Sequence, residues 1–160
     1  MQKLIDLAHI RSTTRKIRGI VKKTPLQESL NYSQKYNSKI FFKREDLQDV
    51  KSFKIRGAYT KILSVKKMKA QNGLVCASAG NHAQGFAVSC SLLDYNGTVF
   101  MPHSTPSLKV GLVKKFGGKN IKIKLVGENF SKAYKAAMDY CVSNRKTFIH
   151  PFDDIKVIEG

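Results

Sequence analysis

Apolar residues recur along the chain in short β-branched runs, separated by longer stretches with helical spacing. The runs predict strands over residues 40–43, 74–77, 98–101, 121–126 and 147–150. Helical spacing predicts helices over 53–69, 81–93, 107–116 and 130–142. The punctuation agrees: Pro102 closes a strand, Gly117-Gly118 stops a helix, and Pro151 follows the last strand. Ahead of this rhythm, 4–21 reads as a helix, Thr24-Pro25 forces an extended or turn conformation, and 29–36 is a short helix candidate. Such alternation predicts an α/β fold, a parallel sheet with flanking helices. Ligands bind such sheets at the carboxyl ends of the strands, so the loops that follow strands are where chemistry is expected. Phe100, Met101 and the Phe41-Phe42 pair read as core residues.

Composition narrows the setting. The 160 residues are 42% hydrophobic, enough for a core and too apolar for a disordered chain. No apolar run approaches the roughly 18 residues of a membrane span. The start, Met1-Gln2-Lys3-Leu4-Ile5-Asp6, lacks the apolar stretch of a signal peptide. A cytoplasmic location without a membrane partner is therefore expected. Cys76, Cys90 and Cys141 are odd in number and lack CxxC spacing, which argues against a disulfide scaffold and a zinc site. His9, His103 and His150 are widely separated, and no metal is expected. The formal charge is +18, with 29 basic and 11 acidic residues. The lysines are scattered, as at Lys22-Lys23, Lys66-Lys67 and Lys114-Lys115, so a solvated surface is favoured over a nucleic-acid face. Such a surface would still draw an anionic cofactor or substrate across a Debye length of ~8 Å.

Two loops carry candidate chemistry. In Asp49-Val50-Lys51-Ser52-Phe53-Lys54-Ile55-Arg56-Gly57-Ala58, Ser52 is the expected N-cap and Lys54 falls in the first helical turn. A helix N-terminus disfavours an ammonium, and Schiff-base chemistry needs the uncharged amine. The bland reading is an exposed surface lysine. The second loop, Cys76-Ala77-Ser78-Ala79-Gly80-Asn81-His82-Ala83-Gln84-Gly85, follows a strand and opens a helix, where free N–H groups can hold a carboxylate or a phosphate. Gly80 and Gly85 have P-loop spacing, but Phe86 stands where that motif needs lysine, and G-x-G-x-x-G is absent too. The bland reading here is a turn with Asn81 as helix cap and His82 holding the loop together by hydrogen bonds.

Ser52-Phe53-Lys54-Ile55-Arg56-Gly57-Ala58 resembles the cofactor-lysine motif of threonine dehydratases, and Ala77-Ser78-Ala79-Gly80-Asn81-His82-Ala83-Gln84-Gly85 resembles their substrate-carboxylate loop. Supporting segments are Thr24-Pro25-Leu26, Lys43-Arg44-Glu45-Asp46, Phe100-Met101-Pro102 and His150-Pro151-Phe152-Asp153-Asp154. The resemblance runs from about residue 15 to the end, and both motifs in this order and spacing are specific. Ile55 stands where cysteine synthase and threonine synthase relatives tend to have Asp, which favours the dehydratase and serine racemase branch.

The resemblance implies a fold-type II enzyme dependent on pyridoxal 5'-phosphate (PLP). It implies that Lys54 forms the Schiff base with the cofactor, that Phe53 packs on its ring and that Asn81 hydrogen-bonds its phenolic oxygen. Ser78, Ala79, Gly80, Asn81 and His82 would grip the substrate carboxylate. The freed Lys54 amine would take the α-proton and the β-hydroxyl would leave. Threonine would then give 2-oxobutanoate and ammonia, a step toward isoleucine or in threonine catabolism. The substrate is a small amino acid, threonine or serine, and the complete enzyme would be a homo-oligomer. Residues 1–42 and 151–160 would belong to a large PLP domain, and 43–150 would form a smaller α/β domain.

The chain ends at Glu159-Gly160, before the family's glycine-rich phosphate loop and the polar residue facing the pyridine nitrogen. An incomplete copy, inactive or nearly so alone and poorly soluble without a partner, is therefore expected. The alternatives are a serine dehydratase or serine racemase relative and, in a different class, a non-catalytic basic binding module.

Overall fold

The computed structural model describes residues 5–160. Four parallel strands form the central sheet, in the order β5-β4-β3-β6: β3 (Leu74–Ala77), β4 (Gly97–Met101), β5 (Ile121–Leu125) and β6 (Thr147–Phe148). Every residue of β3 and β4 is buried, as expected for parallel strands covered on both faces. Their side chains alternate between two cores. Leu74, Cys76, Val99 and Met101 join a cluster with Phe86 and Val113, while Val75, Ala77 and Phe100 join one with Ala137 and Cys141. The first cluster is roofed by α3 (Lys54–Ser64), α5 (Asn81–Leu92) and α6 (Ser107–Gly117), the second by α7 (Phe130–Ser143). Strand β5, Ile-Lys-Ile-Lys-Leu, lies at the sheet edge, where lysines guard against further pairing. The predicted parallel α/β architecture is therefore present.

Several boundaries differ from expectation. The helix expected over 53–69 is two, α3 and α4 (Lys67–Gln71), because Val65 and Lys66 are extended; the break turns Ala70 into the first core. The helix expected over 4–21 is α1 (Leu7–Lys16), capped by Asp6, whose carboxylate accepts from His9 N–H at 2.8 Å; its predicted start at Leu4 lies outside the described residues. The strand at 40–43 shortens to β2 (Phe41–Lys43) and pairs antiparallel with an unexpected β1 (Leu26–Glu28), forming a separate two-stranded sheet beside α2 (Leu30–Lys35). Phe41 and Phe42 are therefore not core residues: both are about half exposed, and Phe42 meets Tyr32 edge-on at 5.5 Å. After β6 a tight turn leads into α8 (Ile155–Glu159), also unexpected, with Asp154 accepting from Lys156 N–H at 2.8 Å.

Candidate active site

Three segments meet at the carboxyl end of the sheet: the start of α3, the loop between β3 and α5, and the turn between β6 and α8. Lys54 is the first residue of α3. Phe53, not Ser52, occupies the cap position, and no side chain caps the helix. Ser52 is instead buried, with its Oγ unpartnered. Lys54 is half-buried, and its Nζ donates to the Pro151 carbonyl at 2.8 Å, 97 residues away in sequence. The same ammonium stands 5.3 Å from the Phe53 ring centroid. Beside them lies a cavity of about 310 Å³, lined by Phe53, Lys54 and Gly57 of the α3 segment and by Pro151, Phe152 and Val157 of the segment after β6. A Cβ on Gly57 would come within 2.6 Å of the Val157 carbonyl, so a side chain there would push α8 off α3 and open this wall.

The 78–82 loop continues β3. Ser78 N–H donates to Phe100 O at 3.0 Å, and Ser78 Oγ accepts from Gly80 N–H at 3.2 Å. Gly80 rather than Asn81 is the cap residue of α5; Asn81 begins the helix with its side chain exposed. No side chain caps α5, so the N–H groups of its first turn are left for an anion. The helix is pressed onto the Lys54 segment: a Cβ on Gly85 would lie 3.0 Å from Lys54 C and O and from Ile55 N.

His82 points away from the loop mouth. It is 3% exposed, its Nε2 lies 3.1 Å from the Ile149 carbonyl, and its Nδ1 is buried without a partner. Burial above all, helped by the charges of Lys54 and His150 and opposed by the hydrogen bond to Ile149, pulls its pKa down to about 4. The ring is therefore neutral at pH 7.

The turn after β6 is fixed from within. His150 Nδ1 accepts from Phe152 N–H at 3.3 Å and Asp153 N–H at 2.7 Å, and its ring meets Phe152 edge-on at 4.7 Å. Asp154 pairs with Lys61 of α3 at 2.6 Å. Burial pushes its carboxyl up, but the hydrogen bonds from Lys61 and Lys156 N–H outweigh that and hold it below the usual range.

Thus Lys54 and Phe53 face the cavity, Gly80 and Asn81 lie at the open start of α5, and His82 serves the interior. Sequence reasoning missed the Pro151 carbonyl, Phe152 and the role of α8. The segment His150-Pro151-Phe152-Asp153-Asp154 was noticed only as a family likeness, although a proline-containing turn at the end of a parallel strand is itself a signal.

A cavity of about 510 Å³, larger than that at Lys54, lies elsewhere, between the end of α1 and Arg56. Its Arg56 and Lys22 are engaged with Glu45 and Asp49, and the Thr14 hydroxyl on its wall is tied to the Ile10 carbonyl at 2.9 Å. The cavity at Lys54 is the better site because the Lys54 amine opens on it and two segments distant in sequence, the start of α3 and the turn after β6, converge there. Cys76, Cys90 and Cys141 are free and buried, and burial pushes their thiols up, Cys141 to about 11, which leaves them poor nucleophiles. Among the described residues no His, Cys, Asp and Glu group could hold a metal, and no helix is long and apolar enough to cross a membrane.

Comparison with known proteins fits this geometry. Residues 17–160 match the family described as pyridoxal-phosphate dependent enzyme. The chain is 47% identical over 157 residues to the biosynthetic L-threonine dehydratase IlvA of Bacillus subtilis, covering 98% of this chain and 37% of that protein. It is 49% identical over 144 residues to the Staphylococcus saprophyticus protein of the same name, covering 90% and 34%. The chain thus spans about a third of the length of these curated relatives. Among solved structures, the processed form of threonine deaminase isoform 2 from Solanum lycopersicum superposes with a TM-score of 0.84 at 32% identity, over 98% of this chain and 44% of that one. Maize serine racemase superposes with a TM-score of 0.89 at 27% identity, over 98% and 47%.

Proposed function

Since the chain belongs to the pyridoxal-phosphate dependent enzyme family, we propose that it carries the cofactor lysine and substrate loop of an enzyme that deaminates L-threonine to 2-oxobutanoate and ammonia. The observation that carries this reading is the Lys54 amine, set at the start of α3 and opening on the cavity lined by Phe53 and Phe152, with the Lys54 backbone packed against Gly85, three residues past the 78–82 loop. A half-buried amine facing a cavity with aromatic walls fits an aromatic aldehyde cofactor. Bound there, PLP would supply an electron sink for negative charge at the substrate Cα. Lys54 Nζ would hold the cofactor, then take the Cα proton once freed. The Pro151 carbonyl gives that amine a fixed acceptor. Phe53 would flank the cofactor ring, and Asn81, exposed at the first position of α5, would hydrogen-bond its phenolic oxygen. The backbone of Ser78, Ala79, Gly80, Asn81 and His82 would bind the substrate carboxylate, since the first turn of α5 is uncapped.

The same reading assigns 43–150 to the smaller α/β domain and 1–42 and 151–160 to the large one, with a cytoplasmic homo-oligomer as the working enzyme. The test is trapping. The chain is incubated with PLP, reduced with borohydride and mapped by mass spectrometry. Lys54 should be labelled well ahead of the other lysines, and Lys54→Ala should abolish that preference. Labelling that merely follows surface exposure would sink the proposal. A serine dehydratase or serine racemase activity is the second reading, favoured by the likeness to the maize enzyme. Pyruvate or D-serine from L-serine exceeding 2-oxobutanoate from L-threonine would select it.

A further inference from the structure

We infer that His82 is a positioning residue for Lys54: its Nε2–H clasps the Ile149 carbonyl and so fixes the turn whose Pro151 carbonyl receives the lysine amine. The last sheet bond of this strand runs from Ile149 N–H to Val75 O at 2.8 Å. Beyond it the chain leaves the sheet. Pro151 has no N–H to anchor it. Two carbonyls of the turn then receive side-chain donors, Ile149 from His82 at 3.1 Å and Pro151 from Lys54 at 2.8 Å. A carbonyl only accepts, so Nε2 must carry the hydrogen and Nδ1 must be the bare nitrogen. That tautomer is a definite requirement, since Nδ1 is buried and finds no partner of its own.

His82 also lies on α5 where Gly85 presses against the Lys54 backbone. One side chain therefore links all three segments of the site: the loop after β3, the turn after β6 and, through Pro151, the head of α3. A residue needed only to close its own loop would bond within 76–85. His82 instead reaches 67 residues along the chain.

The inference gives the site of the proposed function a second control point and rests on Lys54 being the cofactor lysine, but its test uses no cofactor. Ring nitrogen shifts of the wild-type chain should show the Nε2–H tautomer; the Nδ1–H tautomer would overturn the clasp. In His82→Ala, exchange of the Phe152 and Asp153 amides should rise about tenfold relative to the Val99 amide, the worth of one buried hydrogen bond. Reductive methylation of Lys54 by formaldehyde should quicken several-fold relative to exposed lysines. His82→Gln, whose amide can place a donor near the same point, should restore both. Uniform acceleration of all amides with unchanged Lys54 methylation, or failure of His82→Gln to restore either readout, would reduce His82 to a core residue. If His82→Ala does not fold, the tautomer and the His82→Gln readings decide. Failure of PLP trapping alongside a normal clasp result would remove the cofactor reading alone.

Discussion

The parallel sheet and the β1–β2 hairpin both carry large apolar residues, and these end in opposite environments. Leu74 and Val99 are sealed between two layers of helices, whereas Leu26, Phe41 and Phe42 of the hairpin are exposed. An isolated two-stranded ribbon is marginal by itself. What joins it to the rest is polar: Glu45, just after β2, accepts from Thr24 Oγ1 at 2.5 Å and from Arg56 Nε at 2.8 Å. Gln48 exchanges hydrogen bonds with the Lys22 backbone at 3.0 and 2.8 Å. Hydrophobic burial therefore frames the site, and a charged knot attaches the hairpin to α3, the helix that begins with Lys54.

The sharpest test of the contrast compares two phenylalanines. Phe86 is fully buried on α5, close enough to β4 that a Cβ on Gly97 would meet its ring at 2.7 Å. Phe86→Ala should cost about 3–5 kcal/mol in urea unfolding. Phe42→Ala, with a ring 45% exposed, should cost under ~1 kcal/mol. Equal losses would show that the hairpin is as tightly packed as the sheet and would break the comparison.

Acid should find the sheet side through His82. Its pKa is 6.5 unfolded and about 4 folded. Above pH 6.5 the ring is neutral in both states and contributes nothing to the pH dependence. As pH falls toward 4, the unfolded chain gains a proton that the folded chain refuses, so stability drops, by about 3 kcal/mol over the window. Unfolding measured at several pH values in wild type and His82→Gln isolates this effect, because the glutamine variant should lack that slope. Identical slopes would mean that the ring titrates freely and is not sealed.

How much of this was legible in the sequence depended on whether a signal was local. The β3–α5 loop was predicted well because a buried apolar strand, small loop residues and a helical run follow one another directly. Phe100 and Met101 were rightly read as core for the same reason. Phe41 and Phe42 were misread, since two adjacent aromatics do not reveal that their strand stands outside the main sheet. Ser52 carries the residue type of a cap, yet the helix starts one residue later and the hydroxyl is buried. The Pro151 carbonyl that meets Lys54 was out of reach: a backbone atom has no sequence signature, and only the fold brings residue 151 to residue 54.

The last test probes the knot itself. Glu45 and Arg56 side chains are 14% and 22% exposed, so the pair is only partly shielded from water. The Arg56 hydrogen bonds, against the pull of burial and with help from Thr24, hold the Glu45 carboxyl below its ordinary value of 4.5. A carboxyl lowered in this way adds stability above its unfolded pKa, and that stability is lost as pH falls through the folded value. Glu45→Gln keeps the shape and removes the charge, and should cost about 2 kcal/mol at pH 7, the scale of charge-assisted hydrogen bonds left unmade. Where the cost is felt matters more than its size. Exchange at the Arg44 amide, which donates to Pro25 O at 3.1 Å and closes the hairpin, should quicken while the Val99 amide keeps its protection. Loss of protection at both positions to the same degree would show that hairpin and sheet unfold as one unit, and that the knot serves the core as much as the ribbon it ties down.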